Sequence, residues 1–248
     1  LQDRGLRPLL VNLSDVVDPA NSVRMLRQYS VDGVIVASST LPVSFAEAFN
    51  SAGVPVVHCF GRHSENPRVN TLGINNFAAG QLAAETLLAR GYEKIAFMGG
   101  PKSATSTQDR CDGFLAALQA HRTLSHSISY ASAYSFEAGR AEMLRLIEAG
   151  PAQAYFCGDD VLSIGALSAA QTYGLSVPED IGFLGLNDME MAQWSNINLT
   201  TIHNPIAEVV AKSVDLVVRI LADPSQPPEA VLFPGHIVER GSLRPILS

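Results

Sequence analysis

Four short polar groups stand where this chain could hold a small molecule: Asn75-Asn76, Ser103–Arg110, Asp159-Asp160 and Asn187-Asp188. Each follows a run that reads as a strand or opens a helical stretch, and in open α/β sheets ligands bind outside the carboxyl ends of the strands. Arg110 is the one cation among them, and Tyr134, in the next segment between elements, adds an aromatic face. Carboxylates, amides, an arginine and a stacking ring suit a sugar-binding cleft. Helix capping competes with that reading: Asn76 precedes Phe77, and Asp159 or Asp160 precedes Val161. A cap and a ligand contact can be the same residue, so both readings stay open.

Spacing removes most other chemistry. Gly99-Gly100-Pro101-Lys102-Ser103 has the look of a phosphate loop, but Pro101 separates glycine from lysine and takes away a backbone donor. No Gly-x-Gly-x-x-Gly follows a strand, and no Gly-x-Ser-x-Gly elbow is present. The histidines (His58, His63, His121, His126, His203, His236) form no pair with metal-ligand spacing. His121 and His126 read as solvated residues of a polar loop, and His58, Cys59 and Trp194 as packing residues. Asp159-Asp160 lacks a partner base or metal cluster. No catalytic residue, cofactor or metal is therefore expected.

These groups need elements to position them, and the pattern supplies them. Leu9–Asn12, Gly33–Ala37, Val54–Cys59, Lys94–Met98, Ala154–Cys157 and Ile181–Leu186 are near-continuous aliphatic runs, as in strands buried on both faces. Helical periods fall at Ser22–Tyr29, Pro42–Ala52, Asn76–Arg90, Arg110–Ala120, Phe136–Ala149, Val161–Tyr173 and Pro205–Leu221. Their alternation predicts βαβ units and a mostly parallel sheet. Gly91 and Gly174 each stop a helix just before a strand, an echo that suggests two similarly built α/β halves. No flexible linker divides them. Leu1–Gly5 reads as the tail of a helix running into Leu9–Asn12, so residues before Leu1 are expected to be missing.

The balance of charge bounds the partners. The 248 residues are 47% hydrophobic, with a formal charge of −7. The 17 Lys and Arg are dispersed, so this chain alone is not expected to hold DNA. No apolar run approaches the ~20 residues of a membrane span, and no signal peptide is visible. Three scattered cysteines argue for a reducing, cytoplasmic setting.

Longer stretches carry a resemblance. Ser176-Val177-Pro178-Glu179-Asp180-Ile181-Gly182-Phe183-Leu184-Gly185-Leu186-Asn187-Asp188 and Leu199-Thr200-Thr201-Ile202-His203-Asn204-Pro205 resemble the LacI/GalR family of transcription regulators. Lys94–Pro101, Arg110-Cys111-Asp112-Gly113-Phe114, Cys157–Asp160 and Ile237-Val238-Glu239-Arg240-Gly241-Ser242 add to it, in order along the chain. The resemblance implies a periplasmic binding protein-like I fold: two doubly wound parallel-sheet subdomains joined by three crossovers, with an effector between them. Crossovers are expected near Gly100-Pro101, Asn204-Pro205 and Pro224. Residues 1–100 and 205–224 would then form one subdomain, lacking its first strand, and residues 101–204 and 225–248 the other.

The family further implies a small-molecule effector, a homodimer or a dimer of dimers, and operator DNA bound through an N-terminal helix-turn-helix that this chain lacks. No membrane partner is implied. Carried over by motif, Arg110, Tyr134, Asp159, Asn187, Asn204 and Ser106 are the effector-binding candidates. Relatives place Asn where Asp159 stands, Asp where Asn187 stands, and Gln where Asn204 stands. Those exchanges rearrange the polar pattern, and Arg110 would suit a carboxylate or phosphate as well as a hydroxyl. A solute receptor of a transporter shares the fold, and an enzyme would need an acid/base pair in the cleft. The Leu-Thr-Thr-Ile and Val-Glu-Arg-Gly-Ser segments favour the regulator.

Overall fold

The computed structural model describes residues 2, 5–12, 18–38, 43–121 and 124–246. Among them the strands are β1 (Val34–Ala37), β2 (Val56–Cys59), β3 (Asn70–Ile74), β4 (Lys94–Gly99), β5 (Ser125–Tyr130), β6 (Ala154–Cys157), β7 (Gly182–Asn187), β8 (Thr201–His203), β9 (Ala230–Phe233) and β10 (His236–Val238). The helices are α1 (Pro19–Gln28), α2 (Val43–Ser51), α3 (Asn76–Leu88), α4 (Thr105–Leu118), α5 (Phe136–Glu148), α6 (Asp160–Thr172) and α7 (Ile206–Ala222), with a 3-10 turn at Glu190–Gln193. None of these helices is long and apolar enough to cross a membrane.

The chain forms two compact units, Leu1–Gly73 with Ile206–Leu232 and Ile74–Pro205 with Phe233–Ser248. In the first, the sheet runs β1-β2-β3-β9, with β1, β2 and β3 parallel. Phe45 and Phe49 meet edge to face at 5.5 Å above Val36, Val56 and Leu26. Asp18 caps α1 by accepting from Ala20 N–H.

In the second unit the sheet order is β10-β8-β7-β6-β4-β5, parallel from β8 to β5, with β10 antiparallel at the edge. Side chains alternate across a strand with period two, and here both faces are apolar. Ile95, Phe97, Phe156 and Leu184 face one cluster with residues of α3 and α4, whereas Ala96, Met98, Tyr155 and Phe183 face another with residues of α5 and α6. Phe97, Phe114 and Phe156 are fully buried and pack ring to ring at 5.6–6.2 Å. Each contributes ~1.5–3 kcal/mol by burial. Helices α3 and α4 touch backbone to backbone: a Cβ on Gly113 would lie 1.9 Å from the Phe77 carbonyl oxygen.

Several expectations change. The division near Gly100-Pro101 falls instead after Gly73, because β4 pairs with β5 and β6 and so belongs to the second sheet. The last passage lies at 232–233 rather than at Pro224, since β9 still joins the first sheet beside β3. Leu9–Asn12 forms no strand, and Leu10 is 95% exposed. Of the helix tail expected at Leu1–Gly5, residues 1, 3 and 4 lie outside the described residues, as does Pro42 of the second helical period. His126 belongs to β5 rather than to a loop, and Trp194 is half exposed rather than packed away.

All three cysteines are free and buried. Burial pushes their thiols up, that of Cys157 to about 12.

Candidate functional site

Five adjacent parallel strands of the second unit end side by side, and each delivers a candidate residue. Across the sheet, β8 leads into Asn204, β7 ends at Asn187, β6 leads through Gly158 to Asp159, β4 leads to the loop before Ser106 and Arg110, and β5 leads toward Tyr134. The sequence grouped these residues only by resemblance and by position after strands; the sheet order places them next to one another.

A chain of hydrogen bonds joins three of them. Asn204 Nδ2 donates to Asn187 Oδ1 at 3.0 Å, and Asn187 Nδ2 donates to Asp159 Oδ2 at 2.7 Å. Asp159 Oδ1 also accepts from Val161 N–H at 2.8 Å, which caps α6. The capping reading of Asp159 therefore holds. Asn204 is buried, and its Oδ1 has no hydrogen-bond partner. An unsatisfied buried acceptor costs ~1–3 kcal/mol, so this oxygen is a position where an incoming O–H or N–H donor would be rewarded.

Arg110 lies on α4 at 7% exposure. Its Nε donates to Asn76 Oδ1 at 2.8 Å and its Nη1 to the Gly158 carbonyl at 2.5 Å. Burial lowers the affinity of this guanidinium for its proton, opposed by Tyr134 and Asp159. Burial likewise pushes the Asp159 carboxyl up, against the pull of Val161 N–H, Arg110 and Asn187. The two charges thus balance in a desolvated place, where a lone charge would be costly. The cap expected of Asn76 belongs to Asn75, whose Oδ1 accepts from Ala78 N–H at 3.0 Å.

At the other flank, Tyr134 Oη lies 3.2 Å from Ser106 Oγ and 2.6 Å from Thr107 Oγ1. The ring rests on the loop after β4: a Cβ on Gly100 would come within 2.5 Å of it. Thr107 was missed as an individual residue, although it falls inside the Ser103–Arg110 stretch. Hydroxyls, amides and one carboxylate beside a tyrosine can hold a polyol. Among the described residues, no three His, Cys, Asp or Glu side chains are grouped to bind a metal ion.

A second cluster lies beyond the sequence reading. Asp188 Oδ1 accepts from Arg240 Nη2 at 2.6 Å, and its Oδ2 lies 3.0 Å from His203 Nδ1. Burial pushes Asp188 up, but hydrogen bonds and charge from Arg240 and His203 outweigh it and hold the carboxyl below its usual range. The quoted motifs contained all three residues without showing that they meet.

In sequence and fold the chain is similar to known transcription regulators. A periplasmic binding protein-like domain family matches residues 84–243. The HTH-type transcriptional repressor PurR of Actinobacillus pleuropneumoniae serotype 3 (strain JL03) is 31% identical over 230 residues, covering 90% of this chain and 68% of that protein. The probable HTH-type transcriptional repressor ExuR of Bacillus subtilis (strain 168) is 29% identical over 216 residues, covering 86% of this chain. This chain spans 65% of the ExuR length. Among solved structures, a transcriptional regulator CelR–cellobiose complex superposes with a TM-score of 0.86 at 25% identity, over 97% of this chain and 75% of that one.

Proposed function

Since the chain belongs to the LacI/GalR family as an effector-binding core of periplasmic binding protein-like fold, we propose that it senses a small sugar-like ligand and couples that ligand to repression of transcription. Ligand contacts are assigned to Arg110, Tyr134, Asp159, Asn187, Asn204 and Ser106. The observation that carries this reading is the run Asn204–Asn187–Asp159, which ends in a buried amide oxygen without a partner. Such an acceptor, next to a balanced Arg110–Asp159 pair, suits a hydroxyl-bearing ligand. The CelR structure with cellobiose supports the same class.

The coupling follows from linkage. A ligand shifts an equilibrium between two arrangements only by its difference in affinity for them, typically ~1–3 kcal/mol between two sites. The other partners in this reading are operator DNA, read by a helix-turn-helix of the kind the relatives' names carry, and a second copy of the chain, in the cytoplasm. The chain itself performs no catalysis.

A thermal-shift screen against sugars, sugar acids, sugar phosphates and nucleobases tests the reading, with Arg110→Ala and Asn204→Ala in parallel. Ligand at 100 Kd should add ~2.7 kcal/mol of stability. A sugar that stabilises the native chain and neither variant supports the site. A hit that survives both substitutions places the ligand elsewhere. A hit confined to nucleobases overturns the sugar class.

A further inference from the structure

Asp160 is a fully buried carboxylate that the proposed ligand contacts leave unused. Its Oδ1 accepts from Thr201 Oγ1 at 2.6 Å, and its Oδ2 accepts from Met189 N–H at 2.8 Å. Met189 and Thr201 bound the stretch that leaves β7, makes the 3-10 turn and re-enters the sheet as β8. One carboxylate therefore fastens both ends of that stretch. The β7 backbone presses against it, since a Cβ on Gly185 would lie 2.2 Å from Asp160 Oδ1.

Two candidate ligand residues flank the fastened stretch, Asn187 just before it and Asn204 just after it. Asn187 and Asp188 both take positive φ, 117° and 55°. Non-glycine residues keep such conformations only where their surroundings over-determine them. The tie from Met189 N–H to Asp160 comes at the next residue and supplies that restraint.

We propose that Asp160 is a positioning residue, a buried clasp whose proton occupancy sets how firmly Met189–Thr201, and with it Asn187 and Asn204, is held. The clasp stands on its own contacts; only its consequence for a ligand rests on the site proposed above. The charged and titratable groups around it are Cys157 at the end of β6, Asp159 at the head of α6, and Asp188 in the turn after β7. His203 of β8 and Arg240 act on it through Asp188.

Burial pushes the Asp160 carboxyl up to about 6, against its hydrogen bonds from Thr201 and Met189, and the charges of Asp159 and Asp188 push it the same way. A carboxylate released to water titrates near ~4. The closed clasp thus binds a proton more tightly than the open one, so protons favour closure. Raising the pH through about 6 loosens it.

Trp194, the one tryptophan in the chain, lies within this stretch and is half exposed. Acrylamide quenching of its fluorescence, followed from about pH 5 to about 7.5, reads the clasp without any ligand. The expected result is quenching that rises with pH in the native chain, stays flat in Asp160→Asn, and still rises in His203→Gln. Thr201→Val, which removes one tether and keeps the carboxyl, should quench strongly already at the acid end. The proposal is overturned if the native chain shows no rise, or if Asp160→Asn or Thr201→Val behaves like the native chain. Should Asp160→Asn not fold, the Thr201→Val result decides alone. Because no ligand is added, failure here leaves the ligand site standing, and an empty ligand screen leaves the clasp standing.

Discussion

Asn187 gives a hydrogen to the carboxylate of Asp159 across 2.7 Å, so amide and acid are joined donor to acceptor at the ends of neighbouring strands. The LacI-type pattern places the acid and the amide the other way round. In this chain the negative charge stands on the N-cap of α6, where the charge of Arg110 acts on it.

Changing either partner alone should therefore break what the double exchange restores. In Asp159→Asn, an Nδ2 facing Asn187 would meet a donor, and turning Asn187 over would break its bond from Asn204. Adding Asn187→Asp supplies an acceptor again. Urea denaturation of the two single variants and the double variant should show a favourable coupling of ~0.5–3 kcal/mol. Additive effects would mean that the bond does not matter to stability.

Arg110 should tolerate no other cation. Its Nε and Nη1 serve two separate acceptors, Asn76 Oδ1 and the Gly158 carbonyl, which one ammonium cannot reproduce. Arg110→Ala leaves the Asn76 Oδ1 and Gly158 carbonyl acceptors without their donor, at a cost of ~1–3 kcal/mol. Arg110→Lys should recover only part of that in a chemical melt, and full recovery would show that charge alone suffices.

Gly100→Ala should act on Tyr134. A Cβ there would sit 2.5 Å from ring atoms, so the ring must move and give up its contacts with Ser106 and Thr107. Overpacking of this kind costs ~1–3 kcal/mol. Gly113→Ala should cost more, because its neighbour is the Phe77 backbone, which cannot swing aside. Midpoints of thermal unfolding rank the two.

Stability should respond to pH in opposite senses at two adjacent acids. Asp160 has a raised carboxyl, so its contribution to stability is full in acid and is lost as pH rises through about 6. On that count Asp160→Asn should gain on the native chain at neutral pH by an amount on the order of a few kcal/mol. The Thr201 hydroxyl can turn round to accept from the new amide, which limits the loss of hydrogen bonding. Asp188 has a lowered carboxyl, so its contribution is present near neutrality and is lost as pH falls through the acid range. Denaturation of Asp160→Asn and Asp188→Asn from acid to neutral pH should show the two trends crossing.

Much of this architecture was legible because buried parallel strands are nearly unbroken aliphatic runs. Ala154–Cys157 and Lys94–Met98 could be located from composition, and the helices of the described residues overlap the predicted periods, although α4 begins at Thr105 rather than Arg110. Among the described residues β3, β5, β8, β9 and β10 escaped notice, and composition disguises the first two. Asn-Thr-Leu-Gly-Ile in β3 is buried yet half polar, and Ser-His-Ser-Ile-Ser-Tyr in β5 lies at the sheet edge, where its first three residues face water. Leu9–Asn12 misled in the opposite sense: its apolar content suggested a strand, and none forms there. At the site, residue types at strand ends announced Asp159 and Asn187. The joining of Asp188, His203 and Arg240 depends on β7, β8 and the segment after β10 lying side by side, which no local spacing encodes.

The buried thiols of Cys59, Cys111 and Cys157 have a practical reach. A thiol reagent attacks the thiolate, and each of these cysteines is both enclosed and reluctant to ionise. The native chain should be silent toward maleimides. A single cysteine placed on an exposed helix position, such as Gln171 of α6, would then take a fluorophore or spin label without removal of the natural three. The fold thus comes already suited to spectroscopic reporting of its own ligand response.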